Sequence, residues 1–154
     1  MYLATSLVRN NGGPADHLTW SQLGEAASTG LVTIGSHTHG HADLSRASER
    51  EAEQEMRRSK DLIEDRLGIE CKHFAFPWAV ASPHAVRAAA KLFESSALDA
   101  WRTNRFGRID PQRIGRTPIL RSDGQAFFRA KLGGMLDTEA AFYRLARRGP
   151  WRIR

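Results

Sequence analysis

Three of the chain's six histidines lie within five residues, in the sequence His-Thr-His-Gly-His at 37–41. Neutral imidazole is a good ligand for zinc and for neighbouring first-row divalent metals. His37 and His41 are four positions apart, and one tight turn can direct both rings to the same side. His39 lies between them and could equally face solvent or a substrate. The cluster therefore predicts a metal site at His37 and His41, with a polar loop of incidental histidines as the alternative.

Short apolar runs that read as strands surround this cluster. The run "LVTIGS" at 31–36 ends directly before the histidines, and "YLATSLV" at 2–8, "CKHFAF" at 71–76, "SSALDAW" at 95–101 and "RTPIL" at 116–120 are further candidates. Strands that alternate with helices predict a mostly parallel sheet, because parallel neighbours need crossover connections. Such folds place their chemistry after the carboxyl ends of strands. The ends of "TIGS" and "FAF" are therefore the predicted place for a site.

Helices are predicted between these strands. Thr19 with Gln22, and Ser48 with Glu51, have the spacing of capping boxes that open two helices. Gly68 is expected to end the second of them. A third helix is predicted where a proline precedes the alanine-rich "AVRAAAKLF".

The length and composition are those of one globular domain. The chain has 154 residues, of which 41% are hydrophobic, and this is enough to bury a core. We find no internal repeat, linker or low-complexity tract, and we expect a single domain over residues 1–154. Its C-terminal part, 124–150, is predicted to form two helices broken by Gly133 and Gly134.

Charge and cysteine content narrow the function classes. The formal net charge is +6, but the arginines are scattered along the chain, so nucleic-acid binding is not favoured. A single cysteine, Cys71, excludes an intrachain disulfide and is expected to be a small buried apolar residue. No run approaches the ~20 apolar residues of a membrane span, and the N-terminal residues lack a secretion signal. We expect a cytoplasmic protein by default, with the location otherwise unknown.

The histidine segment also carries a family resemblance. "TIGSHTHGHADLS" at 33–45 closely resembles the second motif of the NodB-homology polysaccharide deacetylases, carbohydrate esterase family four, in which His-Ser/Thr-x-x-His supplies two metal ligands. "FAFPWA" at 74–79 resembles the third motif in its Phe-Ala-Tyr-Pro-aromatic-Gly version, and the spacing between the two motifs fits. "NRFGRIDPQRIGRTPIL" resembles the Arg-x-Pro strand region of the same subgroup. The resemblance is strong over 18–80 and weak after residue 110.

This resemblance implies a partial, distorted (β/α) barrel and the metal-dependent hydrolysis of N-acetyl groups on a polysaccharide or amino sugar. A divalent metal is expected, with zinc first and cobalt or nickel as alternatives, and His37 and His41 would be its ligands. Pro77 and Trp78 would shape the acetyl pocket, and the Trp78 backbone N–H would donate to the oxyanion. Asp99, in "LDAW", faintly resembles the aspartate of the fourth motif that orients the catalytic base.

Some of these residues have a second interpretation. Phe74, Phe76 and Trp78 are equally consistent with plain core packing, because aromatic residues in a strand usually pack. Thr38 is expected to hold the turn of the histidine motif. The remaining histidines, His73 and His84 among them, are predicted to be ordinary partly buried or surface residues.

Two parts of the family's pattern have no match. The Thr-Phe-Asp-Asp-Gly motif, whose aspartates supply the catalytic base and a metal ligand, is absent, and no histidine follows His84 to protonate the leaving amine. We therefore expect an N-terminally truncated domain that lacks the first strand, with a second copy or a partner covering the open sheet edge. The alternative function is a catalytically degenerate saccharide- or metal-binding relative without deacetylase activity.

Overall fold

The computed structural model of this chain describes residues 1–10, 17–100 and 104–133, with only the backbone of residues 99 and 100. The strands are β1 (Tyr2–Leu3), β2 (Gly35–Ser36), β3 (His73–Ala75), β4 (Ser95–Ala100) and β5 (Ile114–Arg116). The helices are α1 (Trp20–Ser28), α2 (Glu49–Leu67), α3 (Pro83–Leu92) and α4 (Gln125–Leu132). None of the helices in these ranges is long and apolar enough to cross a bilayer.

The strands follow chain order in one five-stranded sheet. Successive pairs from β1 to β4 are parallel, and Leu3, Ser36, Phe74 and Ser96 occupy matching positions across them. The carboxyl ends of β1, β2 and β3 therefore lie at one edge of the sheet. The predicted α/β class with a parallel sheet is confirmed.

The local sequence signals for helices are also confirmed. Thr19 and Ser48 each accept a hydrogen bond from the third helical N–H and complete capping boxes with Gln22 and Glu51. Gly68 ends α2 in the left-handed conformation that its lack of a Cβ permits. α1 and α2 therefore begin where a side chain near in sequence satisfies their first free N–H groups.

Most of the predicted strands are shorter in the structure than the runs that predicted them. β2 contains only Gly35–Ser36 of "LVTIGS" at 31–36, and β3 contains only His73–Ala75 of "CKHFAF" at 71–76. β1 contains only two residues of "YLATSLV", because Thr5 and Ser6 turn away and donate their backbone N–H groups to the carbonyls of Thr38 and His39. A short 3₁₀ helix, Thr5–Leu7, replaces the rest of the strand. The prediction of a strand over "RTPIL" is wrong: β5 ends where that run begins, and Pro118 has no N–H for a ladder.

The chain divides into two compact units. The first comprises Met1–Leu98 and Asp110–Ile114, and its core lies between the sheet and the helices α1, α2 and α3. Its largest fully buried side chains include Phe74, Phe76, Leu23, Met56 and Ile63. Phe74 stacks on Phe93 at 5.0 Å and meets Phe76 edge-on at 4.8 Å, measured between ring centroids. Core packing is therefore confirmed for these two phenylalanines.

The second unit contains Asp99–Ile109 and the residues from 115 onward. Within it, the buried ammonium of Lys131 donates to Asp123 at 2.6 Å and to the carbonyl of Pro118 at 3.1 Å. The hydrogen bond from Lys131 lowers the pKa of the Asp123 carboxyl. Of the two helices predicted near the C-terminus, α4 is confirmed and the second lies outside the described residues.

A polar anchor joins α2 to the start of β3. Lys60 donates to the Glu64 carboxylate at 2.7 Å and to the carbonyl of Cys71 at 2.8 Å, while the Cys71 N–H donates to Glu64 at 2.9 Å. Cys71 is fully buried, as predicted, and burial raises the pKa of its thiol to about 11. The thiol is therefore neutral near pH 7 and fills core space.

Candidate active site

The histidine loop, residues 37–42, begins where β2 ends. The His37 N–H donates to the carbonyl of Leu3 at 2.8 Å, which extends the parallel ladder by one bond. Thr38 and His41 then adopt left-handed backbone conformations, with φ of 68° and 55°. Thr38 is fully buried, and its hydroxyl accepts a hydrogen bond from the N–H of Ala42 at 3.1 Å. This buried hydroxyl closes the turn between the two histidines.

The turn brings His37 and His41 together. Their ring centroids are 4.9 Å apart and the rings meet edge to face. His37 Nδ1 lies 2.5 Å from the carbonyl oxygen of Ala75, in β3. A carbonyl only accepts hydrogen bonds, so Nδ1 carries a proton in this contact, and in the neutral ring Nε2 then carries the lone pair. The second nitrogen of His37 thus has the form that binds a metal.

A second loop, residues 77–80, follows β3 and is here called the tryptophan loop. Pro77 is buried, whereas Trp78 and Ala79 have positive φ angles of 58° and 53°. The Trp78 side chain is 60% exposed, so core packing does not account for it. Its ring contacts His41 edge to face, with centroids 4.9 Å apart. The structure therefore brings Pro77 and Trp78 to the two histidines.

His39 has a different environment from the other two histidines of the loop. Its Nδ1 lies 2.9 Å from the hydroxyl of Thr5, and its carbonyl accepts a hydrogen bond from Ser6 at 2.9 Å. These bonds join the histidine loop to the segment after β1. His39 therefore has a structural contact that the sequence pattern did not indicate.

A cavity of about 300 Å³ lies beside the histidine pair. Its wall combines His37 and His41 with residues around β1 and α1 that are mostly apolar, including Leu3, Leu7 and Leu23. The two imidazoles thus face a space with a largely apolar lining. Such a space suits a small group that is polar at one end and apolar at the other.

The donor set for a metal is only partly present. His37 and His41 supply two imidazoles, whereas a catalytic zinc site ordinarily has three protein ligands. Within residues 1–10, 17–100 and 104–133, no group of three or more His, Cys, Asp or Glu side chains is placed to hold a metal. The backbone of Asp99 lies in β4, but its side chain is outside the described part of the chain. The described residues therefore fit two positions of the metal's coordination sphere.

One residue at the site was missed by the sequence analysis. Glu55, on α2, accepts hydrogen bonds from the backbone N–H groups of His39 at 3.1 Å and Gly40 at 2.8 Å. Its only sequence signal is its place on the outer part of an amphipathic helix, where a solvated glutamate is the ordinary expectation. The contact depends on how α2 packs against the sheet, so it could not be read from spacing.

Comparison with known proteins identifies the family. The family model described as polysaccharide deacetylase matches residues 1–93, which is more than half of the chain. The chain therefore belongs to the polysaccharide deacetylase family, as the histidine motif predicted. None of the curated proteins matches it.

Solved structures show the same fold. A polysaccharide deacetylase from Bacillus cereus superposes with a TM-score of 0.72 at 20% identity, over 85% of this chain and 40% of that one. A deacetylase from Streptococcus pyogenes, in complex with acetate, gives 0.66 at 25% identity, over 86% and 56%. A de-N-acetylase from Aggregatibacter actinomycetemcomitans gives 0.67 at 17% identity, over 83% and 62%. The chain thus has a deacetylase fold and spans less than two thirds of these structures.

Proposed function

We propose that this chain carries part of a metal-dependent site that hydrolyses N-acetyl groups on a polysaccharide or amino sugar. The observation that carries the proposal is the His37–His41 pair, held at a strand end with the Nδ1 of His37 bonded to a carbonyl. Membership of the polysaccharide deacetylase family supports the reaction class. Zinc is the metal we expect, with cobalt and nickel as alternatives.

The residues of the chain would have separate tasks. His37 and His41 would hold the metal, which supplies Lewis-acid activation of a carbonyl and of water when bound. The exposed Trp78 ring would form one wall of the acetyl pocket, Pro77 would fix the turn, and the Trp78 N–H would donate to the oxyanion. Asp99 would orient the catalytic base. The third metal ligand and the base would come from outside the described residues.

The substrate class rests on the family and on two of the structural relatives. One relative is named a de-N-acetylase, and another is a deacetylase in complex with acetate, which is the small product of N-acetyl hydrolysis. The apolar lining of the cavity beside the histidines is compatible with an acetyl methyl group. An N-acetylated saccharide is therefore the partner we propose.

Zinc titration by calorimetry tests the metal site. We expect the wild-type chain to bind one zinc ion, and His37→Ala and His41→Ala each to weaken binding at least 10-fold, since each removes a ligand. His84→Ala is the matched control, because His84 is an exposed histidine on α3 and should leave the affinity unchanged. Equal zinc binding by all four proteins would refute the proposed ligands.

Acetate release tests the reaction. The zinc-loaded chain would be incubated with an N-acetylglucosamine oligomer, and free acetate would be measured enzymatically. We expect slow release by the wild type, because the third ligand and the base are not among the described residues, and loss of release in His37→Ala, with His84→Ala as the control. No release from a chain that binds both zinc and the oligomer would contradict the catalytic proposal.

That last result would favour a second candidate function, saccharide or metal binding without hydrolysis. The observation that favours it is the lack of a third ligand within the described part of the chain. It predicts binding of the N-acetylglucosamine oligomer in calorimetry without release of acetate.

A second copy or a partner that covers the β1 edge stays a prediction, and sedimentation would test it.

A further inference from the structure

Helix α2 holds the histidine loop through a single carboxylate. Glu55 Oε2 accepts from two consecutive backbone N–H groups, those of His39 and Gly40, at 3.1 Å and 2.8 Å. Consecutive N–H groups that point to one side form a concave anion-binding arrangement, and here they directly follow the left-handed Thr38. The loop thus presents a small anion site that is filled by the chain's own glutamate.

The same helix also holds the strand end that leads into the loop. Ser59 lies one turn after Glu55, and its hydroxyl bonds the hydroxyl of Ser36 at 2.9 Å in a fully buried contact. Residues four apart share a helix face, so α2 presents both groups to this part of the sheet. Ser36 directly precedes His37, and His39 lies two residues after His37. Residues before and after His37 are therefore both bonded to α2.

Glu55 differs in this respect from a neighbouring glutamate of the same helix. Glu53 forms a surface ion pair with Arg57, four residues along α2, and this pair leaves the loop untouched. Glu55 directs its carboxylate to the backbone between the two proposed metal ligands. Hydrogen bonds to an ionised acceptor are stronger than neutral ones, so removal of this carboxylate should loosen the turn.

We propose that Glu55 is a positioning residue for the histidine pair. By holding the N–H groups of His39 and Gly40, its carboxylate fixes the turn that sets the separation of the His37 and His41 rings. The inference rests on the proposed metal-binding function of that pair. Groups that orient metal ligands typically affect metal affinity 10- to 100-fold when they are removed.

The test compares Glu55→Ala, Glu55→Gln and the matched control Glu53→Ala. Hydrogen exchange of the His39 and Gly40 amides, followed by nuclear magnetic resonance, reports the turn, and zinc calorimetry reports the ligand pair. We expect Glu55→Ala to speed exchange at least 10-fold and to weaken zinc binding about 10- to 100-fold. Glu55→Gln keeps an oxygen acceptor and should recover part of both losses. Glu53→Ala should change neither by more than about twofold.

Several outcomes would overturn the proposal. Unchanged zinc affinity in Glu55→Ala would show that the carboxylate has only a structural role, even if the amides exchange faster. Equal losses in Glu53→Ala would assign the effect to the helix in general. If Glu55→Ala does not fold, the comparison of wild type, Glu55→Gln and Glu53→Ala decides the matter by the same criteria.

A failure of the proposed function would look different. If the wild type binds no zinc, the metal proposal fails, and the nuclear Overhauser contact between the His37 and His41 rings becomes the readout. Loss of this contact in Glu55→Ala, with recovery in Glu55→Gln, would still support the positioning role. An unchanged contact would refute it.

Discussion

The C-terminal end of α2 and the two loops at the sheet edge both contain residues in the left-handed backbone conformation, but the residue types differ. The end of α2 uses Gly68, with φ of 65° and no atom within 4 Å of the place where a Cβ would lie. The two loops at the sheet edge use Thr38, His41, Trp78 and Ala79, with φ between 53° and 68°. A non-glycine residue in this conformation costs roughly 1–2 kcal/mol. The chain avoids this cost at the helix end and retains it at the candidate site.

At the sheet edge, the side chains of His41 and Trp78 make ring contacts that glycine could not make. His41 contacts both His37 and Trp78 there, and a glycine in its place would remove the proposed ligand. The conformation persists because neighbouring contacts hold it: Thr38 binds Ala42 through its hydroxyl, and Glu55 binds the loop backbone. Strain that surrounding structure maintains is characteristic of functional sites.

The largest effect is expected at Gly35, in the strand that leads into the histidine loop. A Cβ at this position would lie 2.6 Å from the carbonyl oxygen of His73 and 2.8 Å from the Tyr2 ring. Backbone in a neighbouring strand cannot move without disturbing the sheet, so Gly35→Ala should lower the free energy of unfolding by about 3 kcal/mol. Urea unfolding followed by circular dichroism measures this change.

A glycine in a helix provides the control for that substitution. Gly24 lies in α1, and a Cβ there would approach Leu67 only to 3.9 Å, which is ordinary van der Waals contact. Gly24→Ala should therefore raise the free energy of unfolding by up to about 1 kcal/mol, because alanine favours the helix. Similar stability of the two variants would contradict the close approach at Gly35.

The next effect concerns the buried hydroxyl that closes the histidine loop. Thr38→Ala removes the acceptor for the partly buried Ala42 N–H, and we expect a loss of about 1–2 kcal/mol, because a fully buried unsatisfied donor costs about 1–3 kcal/mol. Thr38→Ser keeps the hydroxyl and should recover most of the loss. Urea unfolding of both variants measures the difference, and a serine variant as unstable as the alanine variant would rule out this hydrogen bond as the cause.

A reciprocal pair of substitutions tests the comparison of the two regions directly. Gly68→Ala should cost about 1–2 kcal/mol by forcing a Cβ into the left-handed conformation. Ala79→Gly, in the tryptophan loop, should stabilise the fold by up to about 1 kcal/mol, because the φ of 53° suits glycine better. Thermal unfolding of the two variants measures whether each substitution lowers or raises the stability. A loss of stability in Ala79→Gly would show that the loop is not strained.

The sequence predicted those features that depend on neighbours along the chain. The capping boxes at Thr19 and Ser48 and the helix end at Gly68 need only residues three or four positions away. The histidine pair was predicted because it follows an apolar run, and the strand order then placed Trp78 beside it. Predicting these features required only local sequence patterns and the rule that functional sites lie after the carboxyl ends of parallel strands.

The features that were missed depend on contacts between distant residues. Glu55 reaches the histidine loop across 15 and 16 positions, and no periodicity distinguishes it from a solvated glutamate. β1 is shorter than its apolar run because Thr5 and Ser6 pair with the histidine loop, more than 30 positions away. Tertiary hydrogen bonds override local propensity in both cases.

The smallest expected effect is at the other end of α2, where Cys71 lies in the anchor formed with Lys60 and Glu64. Burial raises the pKa of its thiol to about 11, above that of the unfolded chain. The resulting stabilisation is fully present below the unfolded pKa and is lost as pH rises towards 11. The free energy of unfolding should therefore decline less steeply between pH 9 and 11 in Cys71→Ala than in the wild type.

Reactivity offers a second measurement of the same thiol. At pH 8 the folded chain should hold roughly 100-fold fewer thiolates at Cys71 than the unfolded chain, so a thiol reagent should react far more slowly without urea. Equal rates with and without urea would mean that Cys71 is accessible and ionised. In that case the anchor at this end of α2 would hold a reactive thiolate. The expected slow reaction would show that the two ends of α2 differ. Cys71, next to the C-terminal end, fills the core, whereas Glu55, nearer the N-terminal end, bonds the histidine loop.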